Sequence, residues 1–279
     1  MKMKRNGFSL IELMITLALG TLVVLGVVSL FISNLKTHNL QKNLRDIQQQ
    51  SLVGLENIVH DLRKTGYQVT SHPQQLGVVL EAEGNVPASC NGCTGPEGEE
   101  PRSDRVTIAF DVEVDTAIEE DTDADTAPRD CEGNQITSTK RLVQTYWLDD
   151  EKALRCASSE GSNPEKGVVL IKGVRSFQAL YGVDGKPRNG IAEVTQYLNA
   201  AQLNAEAAEN WQTTAIRIGY LVEVETEEGQ TVQDDSSHTY YLLDEEVEVD
   251  GEASVGAKEK VRRQFIRTIP LRNFNGDEV

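Results

Sequence analysis

The stretch Gly7-Phe8-Ser9-Leu10-Ile11-Glu12 opens the segment that decides the fold, and an uncharged run from Leu13 to Leu35 continues it. At 1.5 Å per residue, a helical run of this length crosses the roughly 30 Å hydrocarbon core of a bilayer. Three cations precede it, namely Lys2, Lys4 and Arg5. Cations at this end keep it on the cytoplasmic side of the membrane. The segment therefore predicts a membrane-spanning helix with its N-terminus inside.

Glu12 sets this helix apart from an ordinary anchor. An unpaired carboxylate in lipid costs about 2.5–3.5 kcal/mol on insertion scales, so this residue needs a partner. A cleaved secretory signal would have a shorter apolar core followed by a small-residue cleavage site, and neither is present. A plain signal anchor explains the length and the basic flank. It explains neither Glu12 nor the placement of Gly7 before Phe8.

The combination of Gly7, Phe8, Glu12, a short basic leader and a long apolar run resembles the class III signal of type IV pilins and type II secretion pseudopilins. The resemblance implies that a prepilin peptidase cuts after Gly7 and that Phe8 is then N-methylated. Glu12 becomes the fifth residue of the mature chain. It would pair with the new amine of a neighbouring subunit, and this pairing would set recruitment and register more than stability.

Downstream stretches narrow the resemblance to PilW-type minor pilins; they are residues 60–67, 103–108, 173–184 and 262–273. The implied function is a subunit that joins or primes a type IV pilus, with other minor pilins and the major pilin as partners. The implied location is the bacterial inner membrane with a periplasmic head, and then the pilus at the cell surface. Two alternatives remain open. One is a minor pseudopilin of a type II secretion system, and the other is a membrane-anchored periplasmic binding protein or enzyme that does not polymerise.

The predicted organisation has four parts: a cleaved leader at 1–7, a transmembrane and filament-core half-helix at 8–35, a periplasmic half of the same helix at 36–66, and a β-rich head at 67–279. Helical spacing continues after residue 35 through apolar or small residues, namely Leu40, Leu44, Ile47, Ser51, Leu55, Ile58 and Leu62. The opposite face carries charged and polar residues, among them Lys42, Arg45, Gln49, Glu56 and Asp61. Gly66 is the predicted stop, and Gly54 is expected to loosen the helix.

Apolar and polar residues alternate over residues 106–114 and 216–224, which predicts two strands with one apolar face each. Further strands are predicted at 142–148, 168–171, 174–181, 239–243 and 261–269. A helix is predicted at residues 197–211. Loops or turns are predicted at residues 83–103, 115–130, 158–166 and 226–237. Strands in succession favour an antiparallel sheet. The predicted fold class is α+β, a type IV pilin-like roll with its long N-terminal helix packed on an antiparallel β-sheet.

The formal net charge is −17. A surface this acidic repels phosphate backbones, so the bulk of the domain is not expected to bind nucleic acid. The sequence has no paired-histidine metal motif, nucleophile elbow or phosphate-binding loop. We therefore expect neither catalysis nor a cofactor.

Four cysteines lie beyond the apolar segment: Cys90, Cys93, Cys131 and Cys156. An even number outside the cytoplasm indicates disulfides. Three pairings are possible, and the sequence does not choose among them. Our expectation is Cys131 with Cys156 and Cys90 with Cys93. The alternative is a zinc site built on the Cys90-x-x-Cys93 motif.

Two charged clusters, one acidic and one basic, can each be interpreted either as a binding site or as ordinary surface charge. Asp121, Asp123, Asp125 and Glu132 match positions 1, 3, 5 and 12 of a calcium loop, but Thr126 replaces the glycine of its sharp turn. A solvated acidic loop is therefore favoured over a calcium site. The second cluster is basic and consists of Arg262, Arg263, Arg267 and Arg272. It is either a strand face that neutralises acidic neighbours, which we favour, or a docking patch for an acidic minor pilin.

Overall fold

Two compact units make up the chain in the computed structural model, Met1–Asp46 and Ile47–Val279. The structure describes residues 9–67, 77–83, 85–114, 128–161, 166–185, 193–206, 211–225, 237–249 and 260–271. The boundary between the units falls within the long N-terminal helix, whose two parts therefore belong to different units. The functional boundaries drawn at residues 7, 35 and 66 stay predictions.

The N-terminal helix, α1, spans Leu10–Leu62. The predicted long helix is thus present, and its C-terminal end lies a few residues before the expected one. The chain then turns over residues 63–67. Gly66 has a positive φ of 78°, which only glycine adopts without strain, and its N–H donates to the carbonyl of Ala109 at 2.9 Å. This bond ties the end of the helix to a strand of the head.

The first sheet is an antiparallel meander of five strands in sequence order, β1-β2-β3-β4-β5. The strands are β1 Cys90–Thr94, β2 Ser103–Val112, β3 Lys140–Leu148, β4 Ala153–Ser158 and β5 Val168–Lys172. Central β2 and β3 pair over eight residues, from Arg105 opposite Trp147 to Val112 opposite Lys140. Consecutive strands are neighbours throughout this sheet, the commonest arrangement, although residues 113–139 separate β2 from β3.

The second sheet has four antiparallel strands. They are β6 Val174–Asp184, β7 Gln196–Leu198, β8 Gln212–Glu225 and β11 Lys260–Pro270, in the order β11-β8-β6-β7. A short helix, α2 Ala200–Glu206, connects β7 to β8. Strands β9 His238–Leu242 and β10 Glu245–Val249 form a separate two-stranded hairpin. With α1, these antiparallel sheets confirm the predicted α+β class.

One hydrophobic core joins the second part of α1 to both sheets. Its largest fully buried side chains include Ile58 and Leu62 of α1, Ile108 and Tyr146 of the first sheet, and Phe177 and Tyr181 of the second. Gly54 lets β5 approach the helix, because a Cβ at this position would lie 2.3 Å from Cγ1 of Ile171. Gly54 is thus a point of close packing, and α1 continues through it without a break.

The second faces of β2 and β8 are also buried, contrary to the expected solvent-facing alternation. Ala109 of β2 packs in a small cluster with Val79, Val86 and Val143. Leu221 of β8 packs against side chains of the β9–β10 hairpin, namely Leu242, Val247 and Val249. Both strands are therefore covered on two sides, which the alternation of residues along one strand does not reveal.

Several predicted boundaries are wrong. The expected loop at 83–103 contains β1, because residues 90–94 pair with β2. The expected helix at 197–211 is limited to α2, and its first residues belong to β7. Strands β4 and β10 were not predicted. Most of the other expected loops, at 115–127, 162–165 and 226–236, lie outside the described residues.

Candidate functional site

Glu12 lies in the first turn of α1 and is exposed. The helix is hydrogen-bonded from its start, with the N–H of Leu13 donating to the carbonyl of Ser9 at 3.2 Å. The partial positive charge of a helix N-terminus favours an acid in this turn. Gly7 and Phe8 lie outside the described residues, so cleavage after Gly7 and methylation of Phe8 stay predictions.

The first part of α1 presents an apolar surface that the described part of the chain leaves exposed. Leu10–Asn39 is long and apolar enough to cross a membrane, and an 18-residue window within it has a mean hydropathy of 2.6 and no buried residue. Large apolar side chains along it are 46–78% exposed, with Val28 and Leu10 at the two limits. Exposed apolar surface of this extent marks a site of contact with lipid or protein. The segment can therefore be stable only in lipid or against other apolar surfaces.

The four cysteines form two disulfides, Cys90–Cys93 and Cys131–Cys156. These are the pairs that we favoured from the sequence. The first disulfide closes a short loop in β1, and the second joins Cys156 of β4 to the segment before β3. In the described part of the chain, no group of three or more His, Cys, Asp or Glu side chains is placed to hold a metal ion. The Cys90-x-x-Cys93 pair is thus occupied by its own bond rather than available as zinc thiolates.

Asp104 is a buried carboxylate that connects the disulfide loop to both sheets. Its Oδ1 accepts the N–H of Gly92 at 2.8 Å, and its Oδ2 accepts the N–H of Ala179 in β6 at 2.8 Å. Beside it, Ser103 Oγ accepts the N–H of Phe177 at 3.0 Å. Burial raises the pKa of Asp104 to about 7, although the hydrogen bonds from Gly92 and Ala179 lower it. The sequence pattern did not single out this residue.

Asp61 was predicted on the polar face of the helix, but it is only 8% exposed. The hydroxyl of Tyr146 donates to Asp61 Oδ2 at 3.0 Å, and Lys64 Nζ donates to Oδ1 at 3.2 Å. Burial and the nearby carboxylate raise the pKa of Tyr146 well above its usual value. This pair fixes the C-terminal end of α1 against β3.

Only one member of the calcium pattern is described. Asp121, Asp123 and Asp125 lie outside the described residues. Glu132 Oε2 accepts the N–H of Ser158 at 3.3 Å, and burial raises the pKa of Glu132. Its carboxylate is therefore bound to the C-terminal end of β4.

The basic cluster near the C-terminus divides into two groups. Arg262 donates to Glu223 at 2.7 Å, and Lys260 lies 3.4 Å from the same carboxylate. Burial alone would raise the pKa of Glu223, but these cations outweigh burial and lower it. Arg263 and Arg267 are exposed. Neutralisation of an acidic strand is thus observed for Arg262, and Arg272 lies outside the described residues.

Two family models match the chain. The model described as a prokaryotic N-terminal methylation motif covers residues 2–28. The model described as type IV pilus-assembly protein W covers residues 130–273, more than half of the chain. Together with the exposed apolar helix and the antiparallel sheets, these matches define a type IV pilin-family protein. The chain belongs to the PilW family of type IV pilus-assembly proteins, which confirms the resemblance found in the sequence.

One solved structure with some likeness is a type IV-like pilin from Thermus thermophilus. The alignment has 16% identity and a TM-score of 0.41, and it covers 81% of this chain and 96% of that chain. Among curated proteins, none matches the chain. Membership of a pilin family points to a structural rather than a catalytic role.

Proposed function

We propose that this chain is a minor pilin that joins or primes a type IV pilus after a prepilin peptidase cuts behind Gly7 and Phe8 is N-methylated. The observation that carries the proposal is the uncovered apolar surface of Leu10–Asn39 with Glu12 at its start. A lone acid beside such a surface is costly in lipid, and contact with other subunits would cover the surface and neutralise the acid.

Glu12 is the residue that distinguishes assembly from anchoring. Cleavage after Gly7 creates a positive amine at Phe8, and the corresponding amine of an adjacent subunit would meet the Glu12 carboxylate. Opposite charges attract strongly where water is excluded. An unpaired subunit in the membrane is then the costly state, and this cost favours its entry into the filament. The partners on this model are the prepilin peptidase, the major pilin and other minor pilins.

The topology follows from the same segment. The basic leader would stay in the cytoplasm and the helix would cross the inner membrane, which leaves the head in the periplasm. The Cys90–Cys93 and Cys131–Cys156 disulfides support this placement, since disulfides persist in an oxidising compartment. Assembly would then carry the head to the pilus. A pseudopilin of a secretion system has the same N-terminal chemistry, but the match of residues 130–273 to the PilW model supports a pilus.

The test replaces Glu12 in the full-length chain. We expect Glu12→Ala to remain in the membrane fraction but to fall about tenfold or more in sheared pili, since losing even 1.4 kcal/mol of pairing changes an equilibrium tenfold. Glu12→Asp keeps the charge and serves as the matched control. Mass spectrometry of the same pili would report whether the chain begins at methylated Phe8. Normal amounts of Glu12→Ala in pili, or a filament chain that still carries Gly7, would contradict the proposal.

A further inference from the structure

Strand β11 is the edge of the second sheet, and its outer backbone groups have no hydrogen-bond partner among the residues that the structure describes. Its partner on the inner side is β8, with Leu271 N–H donating to the carbonyl of Thr214 at 2.9 Å in the continuing register. On the other side of β8, Glu223 N–H donates to the carbonyl of Gly173 at 2.7 Å. These two bonds fix the alternation of the ladder, because successive residues of an antiparallel strand bond to opposite sides.

The alternation directs the N–H and C=O groups of every second residue away from β8; the residues are Arg262, Gln264, Ile266 and Thr268. Across the described ranges, these four residues have no backbone hydrogen bond on the outer side. The free edge is therefore long enough to accept another strand. Pro270 has no N–H and ends this edge.

The charge of β11 is opposite to that of the chain. The strand carries four cations, Lys260, Arg262, Arg263 and Arg267, and no acid, whereas the chain as a whole has a net charge of −17. Arg217 of the adjacent strand β8 donates from Nε to Thr268 Oγ1 at 3.0 Å, and its guanidinium lies over the ring of Tyr197 in β7. The edge is thus a basic stripe on an acidic molecule.

The exposed arginines lie on a defined face of this stripe. Arg263 and Arg267 lie on the same face of β11 as Phe265, whose ring stacks on Tyr220 with centroids 5.1 Å apart. Arg263 lies over the Phe265 ring, 5.7 Å from its centroid. Ile266, on the opposite face, is 49% exposed and offers apolar contact beside the backbone groups. An extended segment at this edge would therefore meet cations on one face and an apolar side chain on the other.

Charged side chains on an edge strand also serve to prevent unwanted pairing. That protection depends on repulsion of the approaching chain. Arginines would repel a basic segment, but they would attract an acidic one, and copies of this chain are themselves acidic. The sign of the charge therefore favours recruitment of an acidic segment over protection.

We infer that the outer edge of β11 binds an extended acidic segment of a neighbouring subunit, which adds to the second sheet as a further antiparallel or parallel strand. Backbone hydrogen bonds would supply the general affinity, and Arg263 and Arg267 would select for acidic side chains. The inference rests on the proposed function only in naming the neighbour as a subunit of the same assembly.

The experiment measures peptide binding to the purified full-length chain in detergent. The probe is a short fluorescent peptide of alternating glutamate and valine, and binding is followed by anisotropy. One control peptide has lysine in place of glutamate. A second keeps the glutamates but carries an N-methyl group on every amide, which removes the N–H donors from both edges of the peptide without changing its charge. We expect both controls to bind about tenfold more weakly or worse.

Two variants of the protein locate the binding. Arg263→Gln with Arg267→Gln should weaken the glutamate peptide about tenfold. Arg45→Gln with Arg63→Gln is the matched control, since it removes an exposed cation of α1 and another in the turn after it. Ile266→Pro deletes one outward N–H while leaving the bonds to β8, and it should also weaken binding. Circular dichroism checks that each variant is folded.

Equal binding of the glutamate and N-methylated peptides would overturn strand addition and leave only charge attraction. Equal losses in the two arginine pairs would overturn the assignment to β11. Self-association of the parent chain that Ile266→Pro abolishes would replace the acidic neighbour with a second copy. These measurements use no filament, so a failure here is distinct from normal pilus entry of Glu12→Ala, which would overturn the proposed function instead.

Discussion

At Asp104, burial and hydrogen bonding act on one carboxylate in opposite directions. Burial raises its pKa from 3.8 to about 7, although the N–H groups of Gly92 and Ala179 favour the charged form. The folded chain therefore holds this proton more tightly than the unfolded chain does. The resulting stabilisation is fully present below about pH 4 and is lost as the pH rises through about 7.

We predict that Asp104→Asn removes this pH dependence. Between pH 4 and pH 8, the free energy of unfolding of the parent should fall by up to about 4 kcal/mol more than that of the variant. Urea unfolding at a series of pH values would measure both curves. Asp150→Asn, at an exposed turn position, is the control and should follow the parent. Parallel curves for Asp104→Asn and the parent would contradict the prediction.

The sequence predicts the importance of Glu12 but not that of Asp104 or Asp61. Glu12 stands out because its neighbours in sequence are apolar. Asp104 bonds to Ala179, which is 75 residues away, and Asp61 bonds to Tyr146, which is 85 residues away. A buried carboxylate can be recognised only when its distant partners are known, so local patterning gives no signal for it.

Among the elements, the long helix and the longer strands were predictable because each has a clear apolar period. The buried second faces of β2 and β8 were not, since their covers come from a distant loop and from the β9–β10 hairpin. Short strands such as β4 were missed because few residues carry the pattern. The order of the second sheet was also hidden, since β11 comes from the end of the chain and lies beside β8.

The contact between α1 and β5 predicts that a methyl group added at Gly54 destabilises the head. Alanine is the better helix former by about 1 kcal/mol, but a Cβ at Gly54 would lie 2.3 Å from Ile171 Cγ1. We expect Gly54→Ala to lower the stability of the head by about 1–3 kcal/mol, because the helix or strand must shift. Thermal unfolding followed by circular dichroism would show a lower midpoint.

Gly26→Ala is the matched control for this change. Apart from the helix's own neighbouring backbone, no atom of the described residues lies within 4 Å of a Cβ placed at Gly26, so we expect the midpoint for unfolding of the head to stay the same. An unchanged or higher midpoint for Gly54→Ala would show that β5 accommodates the methyl group without cost.

For the whole head, the two disulfides should contribute unequally to stability. Cys131 and Cys156 are 25 residues apart, and Cys90 and Cys93 are 3 residues apart. Restriction of the unfolded chain predicts contributions of about 3.5 and about 2 kcal/mol, respectively. Guanidinium unfolding of the Cys131→Ala, Cys156→Ala and Cys90→Ala, Cys93→Ala double variants should show the larger loss for the first pair. A larger loss for the second pair would mean that native contacts of the small loop outweigh chain entropy.

The bare apolar half of α1 restricts where this molecule can exist. The described part of the chain leaves its side chains exposed, so a subunit in free aqueous solution would aggregate with other subunits. Under the proposed function, the subunit must then move laterally from the bilayer into the fibre. The apolar contacts with lipid are replaced directly by apolar contacts with other subunits, without exposure of the helix to water. The starting place of the fibre is thereby confined to the membrane surface.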